Sequence, residues 1–413
     1  MKQTNIQKFL IEHGIEQGIQ LLQQDPYNLK ISEQDNRILF RYDMINSSLS
    51  LPIVQEARGI ILDRNSLQIY CRPFNKFFNL NESKAYEFDY SKEFLIQEKL
   101  DGSLIKLYYY LPENRWVFAT NGTIEFNEQQ EVLLPDYSKD LVTFDNLLND
   151  TVDLDQYFFE HLHSHNTYLF ELIHPNNPIV VNTGDKSLTL IGIRNNITGQ
   201  EEQITTDNAH VTDILDASHG QLSIPDVYSI PDLSSVSEPC EFLTSHANSL
   251  SKDRKKPCQF EGLIVSELNS DGTIAGRVKV KTLKYLLFHR ISQPKEAINI
   301  FLKGFQEGEE DEFGAYIDNA PEHIKSIYKS YRSAFEKIIQ DLNATVEDDR
   351  AWFHKLQKTD PENARKRVAL HLKDQPNGKM KMSIIFNQLS AREYLKQKSF
   401  RSFKKMMKSK IKE

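Results

Sequence analysis

Short runs of apolar and β-branched residues, separated by polar segments, dominate the first two-thirds of the chain. Such runs are typical of strands. Residues 112–114 (Pro-Glu-Asn) predict a hairpin loop, and residues 218–256, rich in Ser, Pro and charge, predict an irregular segment. Because few runs alternate with long helical patterns, we predict a mixed, largely antiparallel α+β domain, not a doubly wound parallel sheet. The predicted strands are 60–62, 94–96, 104–110, 116–118, 168–173, 188–193, 263–265 and 278–280.

After Tyr285 the apolar residues instead recur at the three- and four-residue spacing of a helix. The clearest stripe follows Pro321 and Glu322, a pair that suits a first helical turn. We therefore predict two domains, a mixed α+β domain over residues 1–288 and an all-helical C-terminal domain over residues 289–413. The stripe consists of Ile324, Ile327, Tyr328, Tyr331, Phe335, Ile338, Ile339 and Leu342.

The composition is that of a folded chain without a membrane segment. Of the 413 residues 39% are hydrophobic, including 24 Phe and 17 Tyr, which argues against disorder. There is no apolar run of about 18 residues and no apolar stretch at the start that would indicate a signal peptide. Cys71, Cys240 and Cys258 fit neither a disulfide framework nor a Cys-x-x-Cys zinc site. We expect a cytoplasmic protein.

Charge is distributed unevenly along the chain. The net charge of −8 argues against binding of nucleic acid by bulk charge. Residues 391–413, however, contain seven Lys and two Arg against two Glu, a local net charge of +7. This basic tail is either an RNA-binding helix or a lysine-rich face above a buried apolar stripe, and its pattern fits both interpretations.

Two clusters resemble metal sites only superficially. His161, His163 and His165 alternate, but no cysteine or carboxylate pattern completes a zinc site, so a polar helix end or loop is favoured. The acidic run 307–312 could bind a divalent ion, although a solvated loop is the favoured interpretation. No metal ligand is assigned from the sequence.

Candidate chemistry centres on residues 98–103, Glu-Lys-Leu-Asp-Gly-Ser. A predicted strand ends on Lys99, and Gly102 permits a tight reversal into the next strand. A lysine amine attacks phosphorus only when deprotonated, which requires desolvation or neighbouring cations. Lys279 and Lys281 alternate with valines and so can share one strand face, and near Lys99 they would lower its pKa. By itself, however, this short motif is better explained as an ordinary hairpin turn.

Several further motifs accompany Lys99, and their order and spacing are hard to obtain by chance. No P-loop motif is present, so ATP would have to be bound in another way. Together the motifs resemble the covalent nucleotidyltransferases, the superfamily of ATP-dependent polynucleotide ligases and mRNA capping enzymes. The accompanying motifs are residues 57–60, 72–79, 170–171, 175–176, 192–195, 261–265 and 278–281.

Within that superfamily the chain resembles the phage RNA ligase 1 family, the tRNA-repair ligases of T-even phages. The resemblance covers roughly residues 36–285 and is faint beyond them. It implies the nucleotidyltransferase fold followed by a helical region. The residues that carry it are Arg58-Gly59, 76–82, 101–104, 176–181, Lys279 and Lys281.

The resemblance implies a role for each matching residue. Lys99 would attack the α-phosphorus of ATP to form a lysine–AMP phosphoramidate, in a motif that includes Asp101 and Gly102. Arg58 and Lys76 would bind the departing β- and γ-phosphates.

Five further positions match the family. Tyr42 would lie at the nucleotide site, and Glu171 would accept a hydrogen bond from the ribose hydroxyl. Glu261 would help place a metal ion through its water shell. Lys279 and Lys281 would contact the α-phosphate.

One position departs from the family pattern. A basic residue commonly precedes the Gly-Ser or Gly-Thr that follows the second hairpin strand, whereas residues 120–123 here are Thr-Asn-Gly-Thr. Asn121 therefore puts in doubt a phosphate contact of the later steps, but not the lysine chemistry.

The implied activity is that of an ATP-dependent RNA ligase. It would join 5′-phosphate and 3′-hydroxyl RNA ends through lysine–AMP and an adenylylated RNA 5′ end, using ATP and Mg²⁺ or Mn²⁺. The expected partner is RNA, with nicked tRNA as a candidate, and no membrane. We expect a monomer that works in the cytoplasm of a bacterial or phage-infected cell.

Two alternatives remain. A DNA ligase or capping enzyme would place a small β-barrel directly after the Lys-x-Lys strand, whereas residues 283–290 and 294–304 predict helix. A non-catalytic RNA-binding protein on a decayed ligase fold should have lost at least one charged site residue. None is missing among Lys99, Glu171, Glu261, Lys279 and Lys281.

Overall fold

A computed structural model divides the chain into two compact units, Met1–Leu286 and Leu287–Glu413. The first unit is a mixed α+β structure built on largely antiparallel sheets and the second is helical, which is the predicted fold class. None of the helices in the described residues could cross a membrane. The structure describes residues 3–126, 131–132, 142–177, 179–180, 185–252, 260–292, 302, 305 and 322–398.

Residues 3–71 form a four-stranded antiparallel sheet with helices packed on one face. Ile38, Phe40 and Ile60 alternate toward the helices, whereas Leu39 and Ile61 point to the opposite face and join a second core. Both faces of the sheet are therefore covered. The elements are α1 (Asn5–His13), α2 (Ile15–Leu22), β1 (Lys30–Gln34), β2 (Arg37–Arg41), α3 (Pro52–Glu56), β3 (Arg58–Asp63) and β4 (Ile69–Cys71).

A five-stranded sheet in the order β12-β11-β10-β6-β7 lies against that second core. Its pairs are antiparallel except β11 with β12. The predicted hairpin loop is a 3₁₀ turn over Leu111–Glu113, and Asn114 follows it in the left-handed conformation. The elements of this region are β6 (Ser103–Tyr110), β7 (Arg115–Ala119), β8 (Glu131–Val132), β9 (Val142–Thr143), α4 (Phe144–Asn149), α5 (Gln156–Glu160), β10 (Asn166–Ile173), β11 (Ser187–Asn195), α6 (Ala209–Ala217) and β12 (Leu222–Ser223).

A smaller antiparallel sheet, β14-β13-β5, is formed by β5 (Phe94–Lys99), β13 (Gly262–Leu268) and β14 (Ile274–Lys281). The irregular segment predicted for residues 218–256 is wrong in part, because helix α7 covers Pro239–Lys252. Leu243 and Ala247, four residues apart, bury one face of α7 in the core of this sheet. Helix α8 (Leu283–Ser292) follows β14 directly, as predicted.

From residue 322 onward, the described part of the second unit contains helices α9 (Glu322–Thr359), α10 (Ala364–Leu372), α11 (Gly378–Phe386) and α12 (Ala391–Lys396). The predicted apolar stripe is confirmed in α9, where its described members are buried or half-buried. The acidic run 307–312, the side chains of Ile324 and Ile327, and the tail from residue 399 lie outside the described residues. The fully buried members are Tyr328, Tyr331, Phe335, Ile338 and Leu342.

Candidate active site

The last residue of β5, Lys99, lies in register with two residues of the neighbouring strands. Gly262 of β13 pairs with Lys99 on one side and with Lys281 of β14 on the other. A Cβ atom on Gly262 would lie 2.0 Å from the carbonyl oxygen of Val280, so only glycine permits this close approach. Gly262 thus lets the three strands meet with both lysines on the same face.

Glu261 lies between the two lysines. Its Oε2 accepts a hydrogen bond from Lys99 Nζ at 2.7 Å, and its Oε1 pairs with Lys281 Nζ at 2.8 Å. The Glu261 side chain is only 2% exposed and that of Lys99 is 20% exposed. The carboxylate therefore connects the predicted nucleophile to one of the predicted phosphate-binding lysines.

This arrangement reverses the effect expected on the pKa of Lys99. Burial lowers the pKa of the amine, but the negative charges of Glu261 and Glu171 and the hydrogen bond to Glu261 outweigh burial. The pKa of Lys99 consequently lies above its ordinary value. The prediction that Lys279 and Lys281 would give Lys99 a lowered pKa is wrong, because Glu261 is paired with Lys99 directly and its attraction outweighs that repulsion.

Lys279 lies two residues before Lys281 and on the same strand face, in a surplus of positive charge. Burial, followed by the charges of Lys76 and Arg58, lowers the pKa of Lys279 to about 7. Burial and the charge of Arg58 also lower the pKa of Lys76. Such repulsion favours the binding of an anion, because a phosphate placed among these groups would relieve it.

The segment that contains Lys76 is fixed to β14 through its backbone. Lys279 donates its N–H to the carbonyl of Phe78, and Leu80 donates its N–H to the carbonyl of Lys279, both at 2.9 Å. The intervening Phe77 ring lies 5.2 Å from Lys279 Nζ and 5.2 Å from the Arg58 guanidinium carbon. Backbone pairing thus explains why residues so far apart in sequence meet around one aromatic ring.

Arg58 is the first residue of β3, and its guanidinium lies close enough to Tyr42 for the two side chains to interact electrostatically. Tyr42 also lies beneath Lys76, whose Nζ is 5.8 Å from the Tyr42 ring. Burial lowers the pKa of Arg58 despite its acidic neighbours. Its Nη1 is buried and has no hydrogen-bond partner among the described residues, which is costly unless a ligand accepts from it.

The turn after Lys99 is held from two sides. Asp101 is buried and accepts hydrogen bonds from the Tyr285 hydroxyl at 2.7 Å and the Val180 N–H at 2.8 Å. Gly102 donates its N–H to Glu171 Oε1 at 2.9 Å, and a Cβ on Gly102 would lie 2.5 Å from the Leu172 carbonyl oxygen. Asp101 and Gly102 therefore position Lys99 and Glu171.

Glu171 lies in β10 and faces the same site. Burial raises its pKa to about 7, although Lys99 and the Gly102 N–H act in the opposite direction. A carboxyl group poised in this way can accept a hydrogen bond from a hydroxyl group when it is ionised.

These residues surround a cavity of about 120 Å³. Four of the predicted site residues line it directly: Arg58, Lys99, Glu171 and Lys279. The others lie around it through contacts with these four or with one another, as described above. Additional lining residues include Phe74, Phe77, Gln97, Ile264 and Arg277.

Sequence reasoning missed two residues of this site. Arg277 extends the alternation of Lys279 and Lys281 by one step and lines the cavity, so the period of two would have revealed it. Tyr285, the partner of Asp101, gives no sequence signal, because its contact depends on the tertiary fold.

The doubtful position Asn121 lies beside Gly59, near the start of β3. The main chain of Asn121 and the Lys106 amine both lie against Gly59, and Lys106 donates a hydrogen bond to the Gly59 carbonyl at 2.5 Å. Burial lowers the pKa of this Lys106 amine. A basic side chain from β6 thus lies close to the position where the sequence lacks one.

The histidines discounted as a metal site lie apart from this site. His161 follows the last residue of α5 and His163 stacks on His210 with ring centroids 4.3 Å apart, so the helix-end interpretation holds for His161. Within the described ranges, no group of three or more His, Cys, Asp or Glu side chains is arranged to bind a metal ion.

Comparison with known proteins finds similarity to RNA ligases. A protein of Autographa californica nuclear polyhedrosis virus, named as a bifunctional polynucleotide kinase/RNA ligase, is 29% identical over 330 residues, 75% of this chain and 41% of that protein. An RNA ligase of Rhodothermus phage RM378 is 26% identical over 363 residues, 77% of this chain and 78% of that protein. The match therefore spans less than half of the first relative.

Among solved structures, an archaeal ATP-dependent RNA ligase (form 2) aligns with a TM-score of 0.45 at 12% identity, covering 83% of each chain. The sequence model of the RNA ligase family matches residues 56–286, more than half of the chain and the stretch from Arg58 to Lys281. The chain therefore belongs to the phage RNA ligase 1 family of RNA ligases.

Proposed function

We propose that the chain is an ATP-dependent RNA ligase that joins 5′-phosphate and 3′-hydroxyl RNA ends through a lysine–AMP intermediate. The observation that carries the proposal is the position of Lys99, which ends β5 beside a cavity where cations outnumber carboxylates. The unpartnered Arg58 Nη1 and the lowered pKa of Lys279 both favour a phosphate ligand. Family membership supports the same assignment.

In the first step, Lys99 Nζ attacks the α-phosphorus, a P–N bond forms, and the bond to the departing pyrophosphate breaks. The amine must first lose a proton, and Glu261 Oε2 is the carboxylate oxygen hydrogen-bonded to it. Lys279 and Lys281 would stabilise charge that develops on the α-phosphate, and Arg58 and Lys76 would bind the departing phosphates. Glu171 would accept a hydrogen bond from the ribose.

The site also fits a divalent cation bound through water. Glu261 and Glu171 are carboxylates close enough to affect one another's charge, and hard oxygen donors of this kind suit Mg²⁺ or Mn²⁺. The ion would supply positive charge at the phosphoryl centre. Positive charge beside Glu261 would also weaken its attraction for the Lys99 proton and so lower the pKa of Lys99.

Two transfers complete the reaction. An oxygen of the RNA 5′-phosphate attacks the AMP phosphorus, the P–N bond breaks and Lys99 regains a proton. The RNA 3′-hydroxyl then attacks the activated 5′-phosphate, and AMP departs. We assign this chemistry to residues 1–288 and propose that residues 289–413 help to choose the RNA, with nicked tRNA as the candidate substrate.

Labelled nucleotides test the proposal directly. Incubation with α-labelled ATP should produce a labelled protein band, whereas α-labelled GTP should not, which separates a ligase from a capping enzyme. The labelled protein is then given 5′-phosphorylated RNA or DNA strands of the same sequence. Transfer of label to RNA, followed by sealing, is the expected result. Failure to form the labelled protein in the presence of Mg²⁺ or Mn²⁺ would refute the proposal.

A further inference from the structure

A second, larger cleft lies next to the nucleotide cavity in the first unit. It measures about 710 Å³, within the usual range for ligand sites, and shares Phe74, Phe77 and Arg277 with the smaller cavity. Lys76, proposed above to bind the departing phosphates, also lines it. None of the roles assigned so far uses the rest of this cleft.

The charges of the cleft favour an anionic ligand. Four basic side chains line it, Lys76, Lys84, Arg194 and Arg277, against two acidic ones. One of the acids, Glu201, is ion-paired with both Arg277 and Arg194.

The second acid, Asp271, accepts hydrogen bonds from the side chain and N–H of Thr273 and so is used in a local turn. Lys84, in contrast, extends from an exposed position. The balance of the lining is therefore positive.

Aromatic rings line the same cleft. The Arg277 guanidinium carbon lies 4.2 Å from the Phe74 ring centre, which fixes the plane of this cation. The Tyr86 ring packs against Gly276, where a Cβ atom would come within 2.3 Å of ring atoms. Tyr86 nevertheless remains 38% exposed. Basic groups interleaved with an exposed ring are characteristic of sites for single-stranded nucleic acid.

The stereochemistry of phosphoryl transfer indicates which strand would enter. Attacking and departing groups lie on opposite sides of phosphorus in an in-line displacement. When Lys99 attacks, pyrophosphate therefore departs on the side away from Lys99. When Lys99 departs in the second step, the RNA 5′-phosphate must approach from that same side. Its strand would then continue past Lys76, which lines the cleft.

We propose that this cleft binds the first nucleotides of the 5′-phosphorylated RNA strand. Lys76, Lys84 and Arg277 face its phosphates, and Tyr86 stacks on a base. The proposal rests on the proposed RNA ligase function, since it specifies which substrate strand enters the site and where.

The test uses the full chain and two independent positions. Tyr86→Ala removes the stacking ring, and Tyr86→Phe retains it. Lys84→Glu reverses an exposed charge and Lys84→Arg preserves it, so neither change at Lys84 should affect folding. Tyr157→Ala, at a ring that is 50% exposed and does not line the cleft, is the matched control.

Three measurements are compared: lysine–AMP formation from labelled ATP, single-turnover transfer of AMP from purified lysine–AMP protein to a 5′-phosphorylated RNA, and fluorescence anisotropy of the same RNA. Tyr86→Ala should lower AMP transfer and RNA affinity about tenfold. Lysine–AMP formation should change by less than about twofold. Lys84→Glu should weaken RNA binding and reduce its salt slope by about one unit or more. Tyr86→Phe, Lys84→Arg and Tyr157→Ala should behave like the wild type.

Wild-type RNA affinity and AMP transfer in both Tyr86→Ala and Lys84→Glu would overturn the proposal. Its failure is distinguishable from failure of the ligase assignment. If the wild type forms no lysine–AMP, the ligase assignment is wrong. The anisotropy measurement still decides whether the cleft binds RNA.

Discussion

The two units bury different kinds of side chain. In the described residues, every buried polar or charged side chain belongs to the first unit, among them Arg37, Asp101, Lys106 and Glu261. The buried residues described after residue 286 are all apolar or aromatic, such as Phe335 and Leu372. One unit thus carries costly buried charge and the other has an ordinary apolar core.

This difference indicates where the chemistry lies. Burial of an ion costs several kcal/mol unless a partner compensates, so charge is retained where it performs a task. Neither Arg58 nor Lys279 has enough negative charge beside it, within the described residues, to restore its ordinary pKa. We infer that ligand phosphates compensate them, whereas the helical unit has no comparable requirement.

The largest effect is expected at the nucleophile. Lys99→Ala should abolish the covalent protein–AMP adduct, because no other side chain supplies an amine at the end of β5. Lys99→Arg should fail as well, since arginine keeps its proton. Both are measured with α-labelled ATP on a denaturing gel. Lys30→Ala, at a lysine whose side chain is 56% exposed, is the control. Normal labelling of Lys99→Ala would exclude Lys99 as the attacking group.

A smaller effect is expected from the two lysines of β14. Lys279→Ala and Lys281→Ala should each slow adenylylation at least tenfold, a loss of about 1.4 kcal/mol of transition-state stabilisation. Lys281→Ala also leaves Glu261 paired with Lys99 alone, which strengthens the hold on the Lys99 proton. Single-turnover adenylylation at saturating ATP measures both. Rates equal to the wild type would show that these lysines do not face the α-phosphate.

The lowered pKa of Lys279 predicts a pH dependence of ATP binding. Before ATP binds, Lys279 is charged below about pH 7 and neutral above it. A phosphate beside it favours the charged form, so binding above pH 7 takes up a proton and affinity falls by up to about tenfold per pH unit.

The measurement is calorimetry between about pH 8 and pH 9.5, in buffers of different ionisation enthalpy. In this range Glu171, with a pKa of about 7, is already ionised and contributes little. Lys279→Arg, which keeps its charge, should bind ATP without the proton uptake. Equal proton uptake by the wild type and this variant would assign the titration to another group.

Much of the first unit was predictable because strand and motif signals are local. The predicted runs 60–62, 94–96 and 278–280 all fall within observed strands, and the turn after Lys99 follows from Gly102. Helix α7 was missed because Ser, Pro and charge in its surroundings concealed the four-residue spacing of its buried face.

What the sequence left undetermined depends on distances across the fold. The residue types predicted a basic site, but whether Glu261 or another lysine lies nearest to Lys99 decides the direction of the pKa shift. Only the register of β5, β13 and β14 fixes that distance. The contact of Tyr285 with Asp101 is of the same kind.

The smallest effect on adenylylation is expected from a change in the core of the helical unit. Phe335 is buried and its ring centre lies 4.4 Å from that of Phe305. Phe335→Ala should destabilise this unit by about 3–5 kcal/mol. Because the described site residues all precede residue 286, lysine–AMP formation at 25 °C should change by less than about twofold. Calorimetry measures the unfolding of the helical unit, and labelled ATP measures lysine–AMP formation. Arg332→Ala, at an exposed site on α9, is the control.

The same variant tests the proposal that the first unit performs the chemistry and the helical unit helps to choose the RNA. If the helices choose the RNA, Phe335→Ala should change the ratio of sealing between a nicked tRNA stem-loop and an unstructured strand, even though each protein forms lysine–AMP equally well. An unchanged ratio, with the helical unit shown to be unfolded, would make that unit a structural addition and not a specificity module. Loss of adenylylation would contradict the separation of tasks between the two units. The charged site would then depend on the apolar core of the other unit for its own folding.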